Sequence, residues 1–290
     1  MRDLVALLVG NAVLALGPWL VRLADVGPVA AGFWRLALAL PVLAVLALRS
    51  RRAAAVQAVP PTLWGALAIG GLFFAADLAL WHAGIHQTRL ANATLFGNVT
   101  SFTYPLYAFL IARAWPGPNQ RRALLLAGAG VLLLLGRSYE VSAKTFAGDL
   151  LCIGAGLCYT GYLVAIARND GRVSSMAALA VSTAAGVLPL LGVALWLKEA
   201  VWPQDWLPLL ALAGGSQLLG QGLIVYSVGR LPPAVVGISL LVQPVVAATI
   251  GWVGYGERLG LLDLVGAVAI AVALVLVRRP DRPVAAVPTG

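Results

Sequence analysis

Long apolar runs separated by short clusters of charge or proline dominate the chain. Bounded in this way they fall at residues 4–22, 28–48, 62–84, 90–112, 121–138, 147–167, 173–197, 206–228, 233–255 and 261–278. A helix needs ~20 apolar residues to cross the hydrocarbon of a bilayer. The pattern therefore predicts an all-α membrane protein with ten transmembrane helices. The fifth and tenth runs are the shortest: only residues 123–136 and 264–277 are free of charge, so flanking side chains must snorkel to the interface.

The polar interruptions repeat. Residues 232–258 (PPAVVGISLLVQPVVAATIGWVGYGER) have a near-copy at 89–118 (RLANATLFGNVTSFTYPLYAFLIARAWPGP), and both follow or contain Arg-Leu and carry a proline inside the run, Pro105 and Pro244. One common displacement also lays Gly17 on Gly161, Gly70-Gly71 on Gly214-Gly215 and Asp77 on Gln221. Duplication predicts two five-helix repeats, 1–138 and 139–279, followed by a disordered Pro- and Ala-rich cytoplasmic tail, 280–290. Five spans per repeat is an odd number, so the second repeat is inverted relative to the first. Inverted repeats enclose a central cavity near the midplane and suit alternating access.

Composition sharpens this picture. Hydrophobic residues make up 61% and charged residues 11% of the 290, against roughly 25% charged in an average soluble domain. The net charge of +9 does not point to nucleic acid, because most Lys and Arg punctuate alternate loops. That bias places both termini in the cytoplasm. Residues 1–21 resemble a signal peptide but run on into the first repeat, and so count as the first span. Cys152 and Cys158 are too far apart for a CxxC motif, and no phosphate-binding loop follows a strand signal. No cofactor, metal site or enzymatic constellation is expected; the expected partners are a small-molecule substrate and membrane lipid.

Polar residues deep in the spans are the candidate chemistry, since they are costly in lipid unless they face protein or water. Asn11, Asn98, Ser101, Tyr159, Gln217 and Gln243 fall near the midplane, with Arg35 and Asp77 further out. Helical spacing groups Thr94 with Asn98 and Ser101, Asp77 with Phe74 and Trp81, Gln217 with Gln221, Ser239 with Gln243, and Tyr159 with Tyr162. These side chains, with Trp19 and Trp81 as aromatic contacts, are the expected cavity lining, the alternative being hydrogen bonds that only hold the bundle. Arg35 and Asp77 sit at similar depth on adjacent antiparallel spans and are expected to pair, as a structural or a coupling element. Pro105 and Pro244 are expected hinges. His82 and His86, spaced i, i+4, are placed at the outer interface, with a two-ligand metal site as the lesser alternative.

The segments LWHAGIHQTRLANATLFGNVTSFTYPLYAFL (80–110) and SLLVQPVVAATIGWVGYGERL (239–259), with Phe33-Trp34-Arg35, resemble the drug/metabolite transporter superfamily and its EamA-type bacterial exporters. The likeness is greatest to the amino acid exporter branch, aromatic amino acid exporters included. It implies a ten-helix inner-membrane exporter of amino acids and related small metabolites. In one departure the first repeat ends Trp115-Pro116-Gly117-Pro118 where the second has Gly256-Glu257-Arg258, so an acid shared by both repeat ends is not essential here. Transport of nucleotide-sugars, lipid precursors or drugs, and a passive channel, remain alternatives. Proton coupling and oligomeric state stay open.

Overall fold

The structure is a computed structural model and describes residues 1–53, 59–88, 90–113, 115–135, 145–255 and 260–279. The boundary between the expected repeats, the Gly256-Glu257-Arg258 turn and the 280–290 tail lie outside them. Among the described residues the secondary structure is helical, without strands: α1 (Arg2–Leu14), α2 (Gly17–Leu23), α3 (Pro28–Ala53), α4 (Pro61–Ile85), α5 (Leu90–Gly97), α6 (Thr100–Ala112), α7 (Pro118–Leu135), α8 (Phe146–Ala167), α9 (Ser175–Trp196), α10 (Leu207–Ala211), a π-helix (Leu212–Gln221), α11 (Gly222–Ser227), α12 (Pro233–Leu240), α13 (Val242–Tyr255) and α14 (Leu261–Leu276). Among the described residues, eight segments are long and apolar enough to cross a membrane: α1–α2, α3, α4, α5–α6, α8, α9, α10 through α11, and α12–α13. The fifth and tenth expected spans are present as the helices α7 and α14 but fall outside that set. The chain is a multi-pass, all-helical membrane protein.

Proline and small polar residues set the boundaries. Pro28, Pro61, Pro118 and Pro233 each open a helix at its first position, where the missing N–H costs no intrahelical bond. Ser174 caps α9 by accepting from the Ala177 N–H at 3.1 Å, and the Asp263 carboxylate accepts from the Gly260 N–H at 2.6 Å ahead of α14. At the other end of the bundle, the Glu199 carboxylate accepts from the Ala30 N–H at 2.8 Å, an anion seated on the N-terminus of α3. Trp34 Nε1 donates to the Val201 carbonyl at 2.6 Å. Asp25, in the α2–α3 loop, accepts from the Gln204 and Asp205 N–H groups, which hold its carboxyl below the usual carboxylate range.

Three spans are broken partway through. Pro18 cannot donate to Leu14, the last residue of α1, and Pro244 cannot donate to Leu240, the last residue of α12. Both proline rings therefore end the helix four residues upstream. The α5–α6 break falls at Asn98–Val99, after Gly97, roughly two turns before Pro105. Pro105 thus lies within α6, as expected, whereas Pro244 lies in the first turn of a new helix. Pro18 makes a third break that the spacing alone did not suggest.

The two parts of the chain interlock rather than sit side by side. α4 packs on α8 and α9, α3 on α9, α1 on α11, α6 on α12, and α7 on α14. Glycine allows the closest approaches, as is usual where lipid removes any hydrophobic drive between helices. A Cβ on Gly71 of α4 would strike the Ser182 carbonyl of α9, and one on Gly130 of α7 would sit 2.8 Å from the Gly266 carbonyl of α14. Leu125, Leu188 and Leu261 point outward, each about three-quarters exposed, where lipid is the solvent.

Gly71→Ala is expected to lower the thermal unfolding midpoint in detergent, at a cost of about 1–3 kcal/mol, because the Ser182 backbone cannot move aside. Gly65→Ala, on the same helix with nothing within 4 Å of the added Cβ, is expected to leave it unchanged or raise it. A scanning fluorescence melt of the two variants checks both outcomes.

Candidate functional site

The broken spans and the π-helix converge on one cavity of about 150 Å³, some ten times the ~15 Å³ that admits a single water. Its wall takes Gly17, Pro18 and Val21 from α2, Arg35 from α3, Phe74, Asp77, Trp81 and His82 from α4, Thr94 and Gly97 from α5, Asn98 from the break, Tyr159 from α8, Leu212 and Gln221 from the π-helix, and Gln243 and Ala247 from α13. Most of these lie in the half of the bundle farther from the N-terminus. Beside the cavity the helices approach closely. There, a Cβ on Gly237 of α12 would run into the Ser101 carbonyl and Pro105 of α6, and one on Gly10 of α1 would lie 2.9 Å from the Gly220 carbonyl. Ser227 also donates to the Asp3 carbonyl at 3.0 Å.

Asp77 accepts no hydrogen bond and makes no ion pair with any described residue, although it faces the cavity. Arg35 lines the same cavity and faces Asp77 as its charged neighbour, with no direct ion-pair contact between them. Its Nε donates to Gln217 Oε1 at 3.0 Å, Gln217 Nε2 donates to Thr183 Oγ1 at 3.0 Å, and the guanidinium carbon lies 5.5 Å from the centroid of the Phe74 ring. Gln217 is buried behind Arg35, while Gln221, one turn on in the π-helix, lines the cavity with its Nε2 3.3 Å from the Tyr159 hydroxyl.

Aromatic rings form one wall. Phe74 stacks on Tyr162 at 4.8 Å and 25°, and Tyr162 stacks on Tyr159 at 5.7 Å and 28°. Trp81 lies against the α5 end, where a Cβ on Gly97 would come within 3.2 Å of its Nε1. A glycine there lets the break pass the indole.

Seven of the sequence-derived lining residues reach the cavity: Asp77, Trp81, Thr94, Asn98, Tyr159, Gln221 and Gln243. Others stand behind it as supports. Asn11 accepts from Gln243 Nε2 at 2.8 Å while donating to the Leu7 carbonyl. Ser239 donates to the Val235 carbonyl at 2.7 Å, and Ser101, Tyr162 and Gln217 are fully buried. Trp19 points outward, 44% exposed, because the break at Pro18 turns its helix. His82, placed at the interface from its distance to the span end, is instead buried against Gly32 and lines the cavity, while His86 is exposed. Of the contributors not expected in the lining, Val21 and Leu212 carry no polar signal, whereas Pro18, as a proline within an apolar run, and His82, as a polar side chain near a span end, could have been picked out.

Residues 146–279 match the EamA-like transporter family. The threonine/homoserine exporter RhtA of Escherichia coli (strain K12) is 29% identical over 215 residues, 73% of this chain and 69% of that protein. RhtA of Salmonella typhimurium (strain SL1344) is 27% identical over the same shares. A crystal structure at 17% identity superposes with a TM-score of 0.78 over 98% of this chain and 99% of that one, which establishes a common fold. Family match over residues 146–279, exporter relatives and helical membrane architecture agree in likening this chain to the EamA-like transporters.

Proposed function

We propose that this protein exports amino acids and related small metabolites across a bacterial inner membrane by alternating access of two inverted five-helix repeats, residues 1–138 and 139–279. The observation that carries the substrate class is the unpartnered Asp77 carboxylate sharing a cavity with Arg35, whose Nε is already held by Gln217. A carboxylate left unpaired at membrane depth is costly and calls for a cation from the substrate. An α-ammonium meets that need, with Arg35 open to the α-carboxylate through its remaining guanidinium donors. Thr94, Asn98, Gln221 and Gln243 offer neutral hydrogen bonds to a polar side chain, and the Phe74–Tyr159 wall accepts an apolar one. The RhtA relatives, named for threonine and homoserine export, support small hydroxylated amino acids as the first substrates to test.

The inverted arrangement is supported by matched breaks in α5–α6 and α12–α13, whose parent segments are near-copies in sequence. The Lys and Arg bias supports cytoplasmic termini, so the cavity belongs to the state nearer the outside. Interlocked glycines beside the cavity argue for a carrier over an open pore. Counterflow in proteoliposomes separates the two, since a carrier exchanges labelled for unlabelled substrate and a pore only equilibrates it.

Losing one charge-assisted hydrogen bond costs about 1.5–3 kcal/mol, so Asp77→Asn is expected to raise the KM for threonine by about 10- to 100-fold. Threonine transport with an unchanged KM and unchanged pH dependence in that variant would sink the assignment. In a background lacking Cys152 and Cys158, Thr94→Cys is expected to react with an impermeant maleimide added from outside and to be protected by substrate, while Ser239→Cys stays unlabelled. Labelling of both positions from the cytoplasmic side alone would reverse the proposed orientation.

A further inference from the structure

A second concavity lies on the lipid-facing side, away from the transport cavity. α6 leaves the bundle through Arg113, a left-handed residue at φ 49°, and the chain returns through Pro116 and Gly117 into α7. α6 packs mainly on α8 and α12, whereas α7 packs mainly on α14. The two helices therefore diverge from their shared turn and leave a groove of about 510 Å³, walled by Phe102, Phe109, Leu110 and Leu124 and closed at its end by Arg113 and Trp115.

We propose that this groove holds an anionic phospholipid, with its acyl chain along the apolar wall and its headgroup phosphate at Arg113. Three observations select this occupant. The groove is apolar along its length and cationic at one end, which is the polarity of a lipid and not of a soluble solute. Arg113 is exposed and makes no hydrogen bond or ion pair with any described residue, so its charge is available. Trp115 is 87% exposed, as suits an indole at the headgroup level, and Arg121 and Arg122 stand exposed in the first turns of α7. At the groove's end Arg113 attracts a headgroup of net negative charge and repels the ammonium of a zwitterionic one. The proposal does not depend on the transported substrate.

The test uses the full chain in vesicles of unlabelled phosphatidylcholine with a minor fraction of brominated lipid, whose bromines quench nearby tryptophan. The Trp115 contribution is the difference between the wild type and Trp115→Phe. Brominated phosphatidylglycerol is expected to quench Trp115 at about fivefold lower lipid fraction than brominated phosphatidylcholine, the preference that one cation near the surface supplies. Arg113→Asn removes the charge while suiting the left-handed backbone, and is expected to abolish the preference. Arg113→Lys, which keeps the charge, is expected to retain it. Equal quenching by the two lipids in the wild type, or a preference that survives Arg113→Asn, would overturn the proposal.

Discussion

Polar groups inside this bundle must find partners without bulk water, and the structure is arranged around that requirement. A broken helix leaves backbone carbonyls and N–H groups without intrahelical partners, and lipid cannot satisfy them. Breaks are therefore placed where they face protein or a cavity. In this chain α1–α2, α5–α6 and α12–α13 break around the same volume, and the π-helix meets them there. The cavity and the breaks are one feature: each break supplies wall, and the cavity gives the freed groups a polar place to face.

The side-chain network behind that wall follows from the same constraint. Gln217 spans Arg35 and Thr183, Asn11 holds Gln243, and Thr103 meets Thr160 at 2.6 Å while Thr100 donates to the Gly156 carbonyl. Single interhelical bonds of this kind average ~0.6 kcal/mol in membranes, too little to hold the bundle by themselves. Their consequence is positional. They fix which polar groups are committed to the protein and leave Asp77 as the uncommitted charge.

Close packing, in contrast, is uneven along the membrane normal. Around mid-bundle, glycines bring α1 against the π-helix and α12 against α6 at backbone distance. At the end farther from the N-terminus, the aromatic cluster of Trp34, Trp202 and Trp206 and the Glu199 cap secure the α9–α10 loop to α3 without filling the space between α2, α4 and α5. Backbone contact dominates the first region, whereas a frame of side chains surrounds the cavity in the second.

Much of this was legible in the amino acids alone, because the solvent imposes a simple code. Apolar length marks a crossing segment, so the eight long spans and the helices α7 and α14 could be placed from hydrophobic runs. Rarity of polar groups in those runs flagged Asp77, Asn98, Tyr159, Gln221 and Gln243 as cavity residues. What escaped was set by contacts between segments distant in sequence. The Arg35–Gln217 bond required knowing that residues 182 positions apart pack together. The burial of His82 required the close passage of Gly32, and the outward turn of Trp19 required the break that Pro18 makes. Chain chemistry by itself determined which stretches enter lipid and which side chains are too polar to face it; only tertiary packing decided whether each such group is spent on a neighbour or left open to a ligand, because that depends on distances between helices that no local pattern encodes.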